Sequence, residues 1–432
     1  MYNAIVTKIK TAPHPDPQTT QIKVGYCFGH TVVVGIETPE NSLGIFFPTD
    51  GQLSDEFCKA NNLYPVYDEN GVKVGGGFID AKLRRVKAQR FRGVRSEGFW
   101  LPISCLNYLN LKDTPKEGFV FTELEGKPIC NKYISKATRS AMNATKGKSS
   151  KKESPQMPMH LETLKFKYYS RSIPEGSVIY ITEKLHGTSG RTGWAKIPDK
   201  SLTLGQRIRQ LFSKKPLFQD TYDYLTGSRR VVKNFDNGPG FYGKEDFRYQ
   251  ASEIVKPFLR KGESVYYEIV GYVSETEPIM HGTSNEALGK KFKKKFGKTT
   301  EWRYGCLPGQ FKIYIYNWML SNEDGSVQYS YPWEYIEQRC QESGGVLETV
   351  PFLQKVQYDT QEQLAALTEL ATNLTEDLPT TLDTHLREGV CLRVEKGGHL
   401  VDIYKLKATS FGILEGYLSP QTVDLEAVES YQ

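Results

Sequence analysis

Among the residue runs able to do chemistry, the most informative is Thr182-Glu183-Lys184-Leu185-His186-Gly187-Thr188. Its lysine closes a β-branched and aromatic run, residues 177–183, and stands just before a glycine-containing turn. Glycine lets a backbone approach a ligand closely, and burial with neighbouring cations lowers the pKa of an amine. Those are the requirements of a nucleophilic amine. By itself the pattern is common, and most lysines so placed are solvated strand ends, so this motif alone does not define an activity.

Five further segments follow in order: Ser228-Arg229-Arg230, Tyr267-Glu268-Ile269-Val270-Gly271, Tyr314-Ile315-Tyr316, Arg387-Glu388-Gly389-Val390 and Tyr404-Lys405-Leu406-Lys407. With Lys184-Leu185-His186-Gly187 ahead of them, they resemble the motifs of the covalent nucleotidyltransferases, the superfamily of polynucleotide ligases and mRNA capping enzymes. The form EKLHGT, in place of the KxDG usual in DNA ligases and capping enzymes, is similar to the nick-sealing RNA ligases. The resemblance covers most of residues 161–415. An OB-like region ahead of the lysine, with little chain after the last motif, further resembles the RNA ligase branch that carries an N-terminal OB domain.

The resemblance implies an ATP-dependent RNA ligase. It would seal RNA breaks or nicks with 3′-OH and 5′-phosphate ends, through a covalent lysyl-AMP and then an RNA-adenylate. Lys184 would attack the α-phosphorus of ATP and expel pyrophosphate. Lys405 and Lys407, alternate residues on one strand face, would hold the phosphate. Glu268 is implied as a ribose contact and, with Glu388, as a candidate ligand of Mg2+ or Mn2+. Tyr316 matches the ring that stacks on adenine, whereas Tyr314 reads better as core. His186 matches the histidine that assists AMP transfer to the nucleic acid, and Glu183 joins Lys184 at the nucleotide. Arg229 would grip the accepting phosphate with its fork of donors, with Arg230 and Arg191 as alternatives. In two places the chain departs from the pattern: Ser189 stands where nick-sealing ligases often carry Asn, and residues 194–225 look like an insertion.

Other readings remain open. A DNA ligase or a capping-type nucleotidyltransferase would keep the chemistry and change the acceptor, and EKLHGT argues against both. A non-catalytic RNA-binding protein with a decayed ligase domain is the third. The joint presence of Lys184, Glu268, Glu388, Lys405 and Lys407 argues against it.

These residues need elements to position them. Apolar alternation predicts strands at 4–9, 21–27, 31–36 and 43–47, and Ser54 offers an N-cap for a helix through residue 60. Extended character resumes over residues 78–91. This pattern suits a small Greek-key barrel of OB type. Beyond residue 126 the composition turns to Lys, Ser, Asn, Met and Pro, and the run TKGKSSKKE at 145–153 cannot bury enough surface to offset its ordering entropy. The expected division is therefore an OB-like nucleic-acid-binding domain over 1–125, a basic linker over 126–158 and a nucleotidyltransferase domain over 159–432. In the last, strands are predicted at 177–183, 264–272, 311–319, 389–394 and 401–406, and helices at 206–212 and 361–374. Without βαβ alternation, the class predicted is α+β on antiparallel sheets.

Composition agrees with this division. The chain has 432 residues, 38% of them hydrophobic, enough for two or three cored domains. Seven scattered cysteines with no CxxC pair signal neither a disulfide framework nor a zinc site. No apolar run approaches a membrane span, and the start of the chain carries no signal-peptide core, so a cytoplasmic, membrane-free and monomeric protein is expected. A net charge of +6 says little as a sum. Basic residues cluster at 82–95 (KLRRVKAQRFRGVR), 146–152 and 289–298 (GKKFKKKFGK). The first, with Phe91 within it and Phe99 beyond, suits a phosphate-tracking surface with stacking rings. The third is placed to reach a duplex beside the active site.

Overall fold

Runs of valine, isoleucine, phenylalanine and tyrosine become antiparallel strands in two units of the chain. The computed structural model describes residues 2–28, 30–49, 51–133, 157–158, 160–197, 221–228, 232–233, 247–322 and 326–415. One unit comprises Met1–Lys146, Lys167–Arg171 and Glu415–Gln432; the other comprises Gly147–Phe166 and Ser172–Leu414.

In the first unit the main strands are β1 (Ala4–Lys8), β2 (Ile22–Cys27), β3 (His30–Gly35), β4 (Leu43–Pro48), β5 (Gly98–Pro102) and β6 (Val120–Phe121). β5, β4, β1 and β6 lie side by side in that order, while β2 and β3 form a separate sheet with Lys10–Ala12. The predicted helix is present as α1 (Asp55–Ala60), capped where expected: the Phe57 N–H donates to Ser54 Oγ at 3.2 Å. Ile45, Phe47, Leu53, Phe57 and Leu106 share its core. The extended stretch expected at 78–91 reduces to Arg85–Val86 and Gln89–Phe91. Among the described residues the strands pair as several small sheets and none closes into a barrel. The unit also runs past the expected start of the linker. Lys127–Pro128 and Cys130–Lys132 pair within it, and the apolar Ile129 and Cys130, ahead of the basic run, are buried in its core. That basic run, 145–153, and the helix expected at 206–212 lie outside the described residues.

The second unit holds the motif residues. Its main strands are β7 (Ser177–Lys184), β8 (Thr188–Ile197), β9 (Glu263–Gly271), β10 (Phe311–Ser321), β11 (Phe352–Tyr358), β12 (Gly389–Lys396) and β13 (His399–Lys407). β13, β12, β7 and β11 are neighbours in a five-stranded sheet; β8, β9 and β10 are neighbours in a seven-stranded one. Only Leu185-His186-Gly187 separates β7 from β8, so the chain changes sheet at the lysine motif. Besides Phe247–Val255, its main helices are α2 (Gly289–Phe296), α3 (Trp333–Glu342), α4 (Leu364–Asn373) and α5 (Thr409–Leu414). The class is α+β with antiparallel sheets, as the element pattern predicts. No helix among the described residues is long and apolar enough to cross a membrane.

β10 serves two cores because successive strand residues face opposite ways. Ile313 and Ile315 pack with Tyr267, Ile269 and Ile336, whereas Tyr314 packs with Leu185, Trp302 and Phe411. Two residues further on the phase changes, since Trp318 joins Ile313 and Ile315. The cause is a bulge: Tyr267 pairs with Ile315 and Tyr266 with Asn317, leaving Tyr316 as the extra residue. Buried Arg393 on β12 secures this point from the other sheet, donating to Asn317 Oδ1 at 2.8 Å and to the Tyr331 carbonyl at 2.6 Å.

Candidate active site

Strand register assembles the lysines. Lys184 at the end of β7 pairs with Gly389 on β12, and Gly389 pairs with Lys407 on β13. A Cβ at Gly389 would stand 2.1 Å from the Leu406 carbonyl oxygen, so this approach requires glycine. Glu388, just ahead of β12, thereby falls between two ammonium groups. Lys184 Nζ lies 2.8 Å and Lys407 Nζ 2.7 Å from Glu388 Oε1, and His186 Nδ1 lies 3.5 Å from Oε2.

The electrostatics run against the simple expectation for a nucleophile. Burial disfavours the charge on Lys184, but Glu388, Cys391 and Glu268 outweigh it and hold the ammonium above the usual lysine range. Its immediate neighbours are carboxylates, so the lowering by nearby cations expected from sequence does not arise here. Burial also works against ionised Glu388, yet Lys184, His186 and Lys407 outweigh it and keep this carboxyl below the usual range. Lysine and glutamate thus stabilise each other's charged forms.

The turn after Lys184 is held from several sides. Glu268 Oε1 accepts the Gly187 N–H at 3.2 Å, and its Oε2 accepts the Ser189 hydroxyl at 3.1 Å. At Gly187 a Cβ would come within 2.3 Å of the Ile269 carbonyl oxygen, so only glycine admits the turn beside β9. Burial, reinforced by Glu388, pushes the Glu268 carboxyl up to about 7 against the opposing pull of Lys184. The His186 N–H donates to Tyr304 Oη at 2.6 Å, while the imidazole sits between the Trp302 and Phe411 rings, with centroids 4.8 and 5.0 Å away. Lys407 lies over the Phe411 ring at 4.6 Å.

The remaining candidates separate into those that join the cluster and those that do not. Tyr316, re-aimed by the bulge, is partly buried, and its hydroxyl lies 2.7 Å from His160 Nε2. Tyr314 is buried in the core. Lys405 pairs with Cys391 across the strands, and the Cys391 thiol is pushed up to about 11 by burial, with Lys184 and Lys405 pulling the other way. Glu183 does not join as expected. Adjacent strand residues face opposite sides, and its buried carboxylate accepts from the Thr381 N–H and hydroxyl at 3.0 and 2.9 Å, with Arg387 Nε at 3.4 Å. Arg229 and Arg230 lie outside the described residues. Arg191 is buried and donates to the carbonyls of Ser228 and Pro158, which makes it a clamp on backbone. Tyr304, His160, Trp302 and Phe411 belong to none of the six motifs, so only their positions in space reveal them. Ser189 was visible as a departure, and its hydroxyl supplies a direct bond to Glu268.

For a metal, the protein offers two carboxylates. Among the described residues no group of three or more His, Cys, Asp or Glu side chains is arranged to hold an ion. Glu268 and Glu388 both act on Lys184. Such a set does not make an all-protein cage, but it fits Mg2+ or Mn2+, which take one or two carboxylates together with substrate phosphates and water.

A two-sheet unit with a lysine at the sheet-to-sheet turn, flanked by carboxylates and a second lysine, defines the class to which comparison assigns the chain. The family model described as RNA ligase matches residues 177–407, more than half of the sequence, and the chain belongs to the RNA ligase family. No curated protein matches it in sequence. Among solved structures, a Naegleria gruberi RNA ligase with pyrophosphate is similar at 14% identity and TM-score 0.50, over 95% of this chain and 97% of that one. Lysine mutants of the Naegleria gruberi RNA ligase, one with AMP and Mn and another with ATP and Mn, are each similar at 14% identity and TM-score 0.49, over 94% and 96% of this chain and 97% of theirs.

Proposed function

We propose that this protein is an ATP-dependent RNA ligase in which Lys184 carries AMP. The observation that carries the reading is the Lys184–Glu388–Lys407 cluster at the turn between the two sheets. The Lys184 amine attacks the α-phosphorus of ATP, the bond to the β-phosphate oxygen breaks, and pyrophosphate leaves. AMP then passes to the RNA 5′-phosphate, and attack by the 3′-OH releases it. Lys405 and Lys407 offset phosphate charge, Tyr316 stacks on adenine, Glu268 meets the ribose and Arg229 grips the accepting phosphate. His186, two residues after Lys184 and 3.5 Å from Glu388 Oε2, assists the second transfer. Attack needs the free amine, which Glu388 and Glu268 disfavour. Glu388 and Glu268 would hold a divalent cation together with the nucleotide phosphates, and its charge would offset theirs.

The first unit is read as the RNA-binding part, in keeping with the OB-like character expected of its sequence. Phe78 packs against Phe91 and Phe99 with ring centroids 5.1 and 5.8 Å apart, and Lys82, Lys87, Arg90 and Arg92 around them are exposed. Rings beside basic side chains suit bases and phosphates of a strand. A nick in duplex RNA and a broken single strand both present the required ends.

Incubation with α-labelled ATP and metal should give a denaturation-stable label on the protein. Lys184→Ala should take up none, and label persisting in that variant would sink the assignment. Equal labelling from GTP would favour the capping alternative.

A further inference from the structure

Helix α2, with the sequence GKKFKKKF, sorts its residues by face. Phe292 and Phe296, one turn apart, are buried in the core that also takes in Leu185, Tyr304 and Phe411. Two of its lysines are satisfied locally: Lys293 donates to Glu286 at 2.7 Å and Lys295 to the Asp377 carbonyl at 2.6 Å. Lys290, Lys291 and Lys294 are exposed on one side, and no ion pair among the described residues engages them. Lys290 and Lys294 are like charges one turn apart, an arrangement that weakens an isolated helix. Among the described residues this repulsive face therefore has no counter-charge of its own.

Its position connects this face with the site. The turn Glu286–Leu288 that leads into α2 packs on α5, and Phe411 of α5 lies against both His186 and Lys407. Helix and catalytic turn are fixed to one packing layer. We propose that the Lys290, Lys291 and Lys294 face binds the phosphate backbone of the RNA whose ends are joined at Lys184, which rests on the ligase reading above. Contacts of this kind add affinity without sequence preference and release counterions.

The test compares the full chain with two triple variants, Lys290→Gln with Lys291→Gln and Lys294→Gln, and the same three positions changed to Arg. Fluorescence anisotropy of a nicked RNA duplex is followed across a series of KCl concentrations, with label uptake from α-labelled ATP measured in parallel. In the glutamine variant, label uptake should match the parent, RNA affinity should fall about tenfold or more at moderate salt, and the slope of log affinity against log salt should shrink by about two to three. The arginine variant should bind as the parent does. Unchanged affinity and slope in the glutamine variant would overturn the proposal and leave the face to an acidic protein. Equal weakening in the arginine variant would overturn it too, because the loss would not be one of charge. A parent that forms no lysyl-AMP would remove the ligase reading, while the anisotropy arm would still decide this one.

Discussion

Lys184 and Glu388 form an ion pair at 2.8 Å, and Lys407 shares the same carboxylate oxygen at 2.7 Å. Glu388 is almost fully buried, so the pair is held in a low-dielectric setting where removing one partner is costly. Lys184 is held as an ammonium, and in the proposed role its reactivity depends on what replaces its hold on Glu388.

Glu388→Gln separates the two consequences of that arrangement. Lys184 loses its principal counter-charge while Lys407 remains, so the amine gives up its proton at lower pH. The apparent pKa of lysyl-AMP formation should fall, and, with a metal carboxylate gone, the maximal rate should drop by about a hundredfold or more. A pH–rate profile at saturating ATP and metal reads both. An unchanged profile would show that Glu388 neither holds the proton nor serves the metal.

Tyr316 combines a ring and a hydroxyl whose roles can be separated. If the ring stacks on adenine, Tyr316→Leu should raise the Kd for ATP about tenfold, the size of a lost aromatic stack. Tyr316→Phe keeps the ring and loses only the contacts of its hydroxyl, with His160 and Ser189, so its Kd should stay within about threefold of the parent. Isothermal titration of the Lys184→Ala background avoids turnover. Equal loss in both variants would assign the affinity to the hydroxyl.

Tyr304 controls the turn through one bond. Tyr304→Phe leaves the His186 N–H without its acceptor, and a buried donor left unsatisfied costs about 1–3 kcal/mol. The melting temperature should fall accordingly. Because the loosened residue is His186, transfer of AMP from Lys184 to RNA should slow more than formation of lysyl-AMP. Single-turnover assays of the two steps distinguish this from a general loss of folding, which would slow both alike.

Legibility in the sequence followed physical range. Strands β7, β9, β10, β12 and β13 are readable because each is a long run rich in β-branched and aromatic residues, whereas a shared site for Lys184, Glu388 and Lys407 is implied only by the resemblance of their motifs, and strand register brings them together. Adjacency suggests that Glu183 stands beside Lys184 at the nucleotide, whereas the period of a strand turns neighbours to opposite faces and its carboxylate meets Thr381. The bulge at Tyr316 leaves no mark in composition, since it arises from pairing with β9. Tyr304, His160 and Phe411 reach the site through tertiary packing, with no spacing to announce them. In the first unit the sequence alternation marks β1 to β4 but not the short β5 and β6, and how such short strands pair and whether they close is decided by distant partners.

Glu268 provides a test based on stability. Its carboxyl is pushed up to about 7 from an unfolded value near 4.5, so between those pH values the folded protein binds more protons here than the unfolded chain. Stability contributed by this group is present below about pH 4.5 and is lost as pH rises through about 7. Glutamine keeps an oxygen to accept from Gly187 or Ser189 and cannot ionise. The melting temperature of Glu268→Gln, measured relative to the parent, should therefore increase from pH 5 to pH 7 and level off above about pH 8. A difference that is flat across this range would mean that Glu268 ionises in the folded protein as it does in the unfolded chain, and that the turn is held by a carboxylate charged throughout.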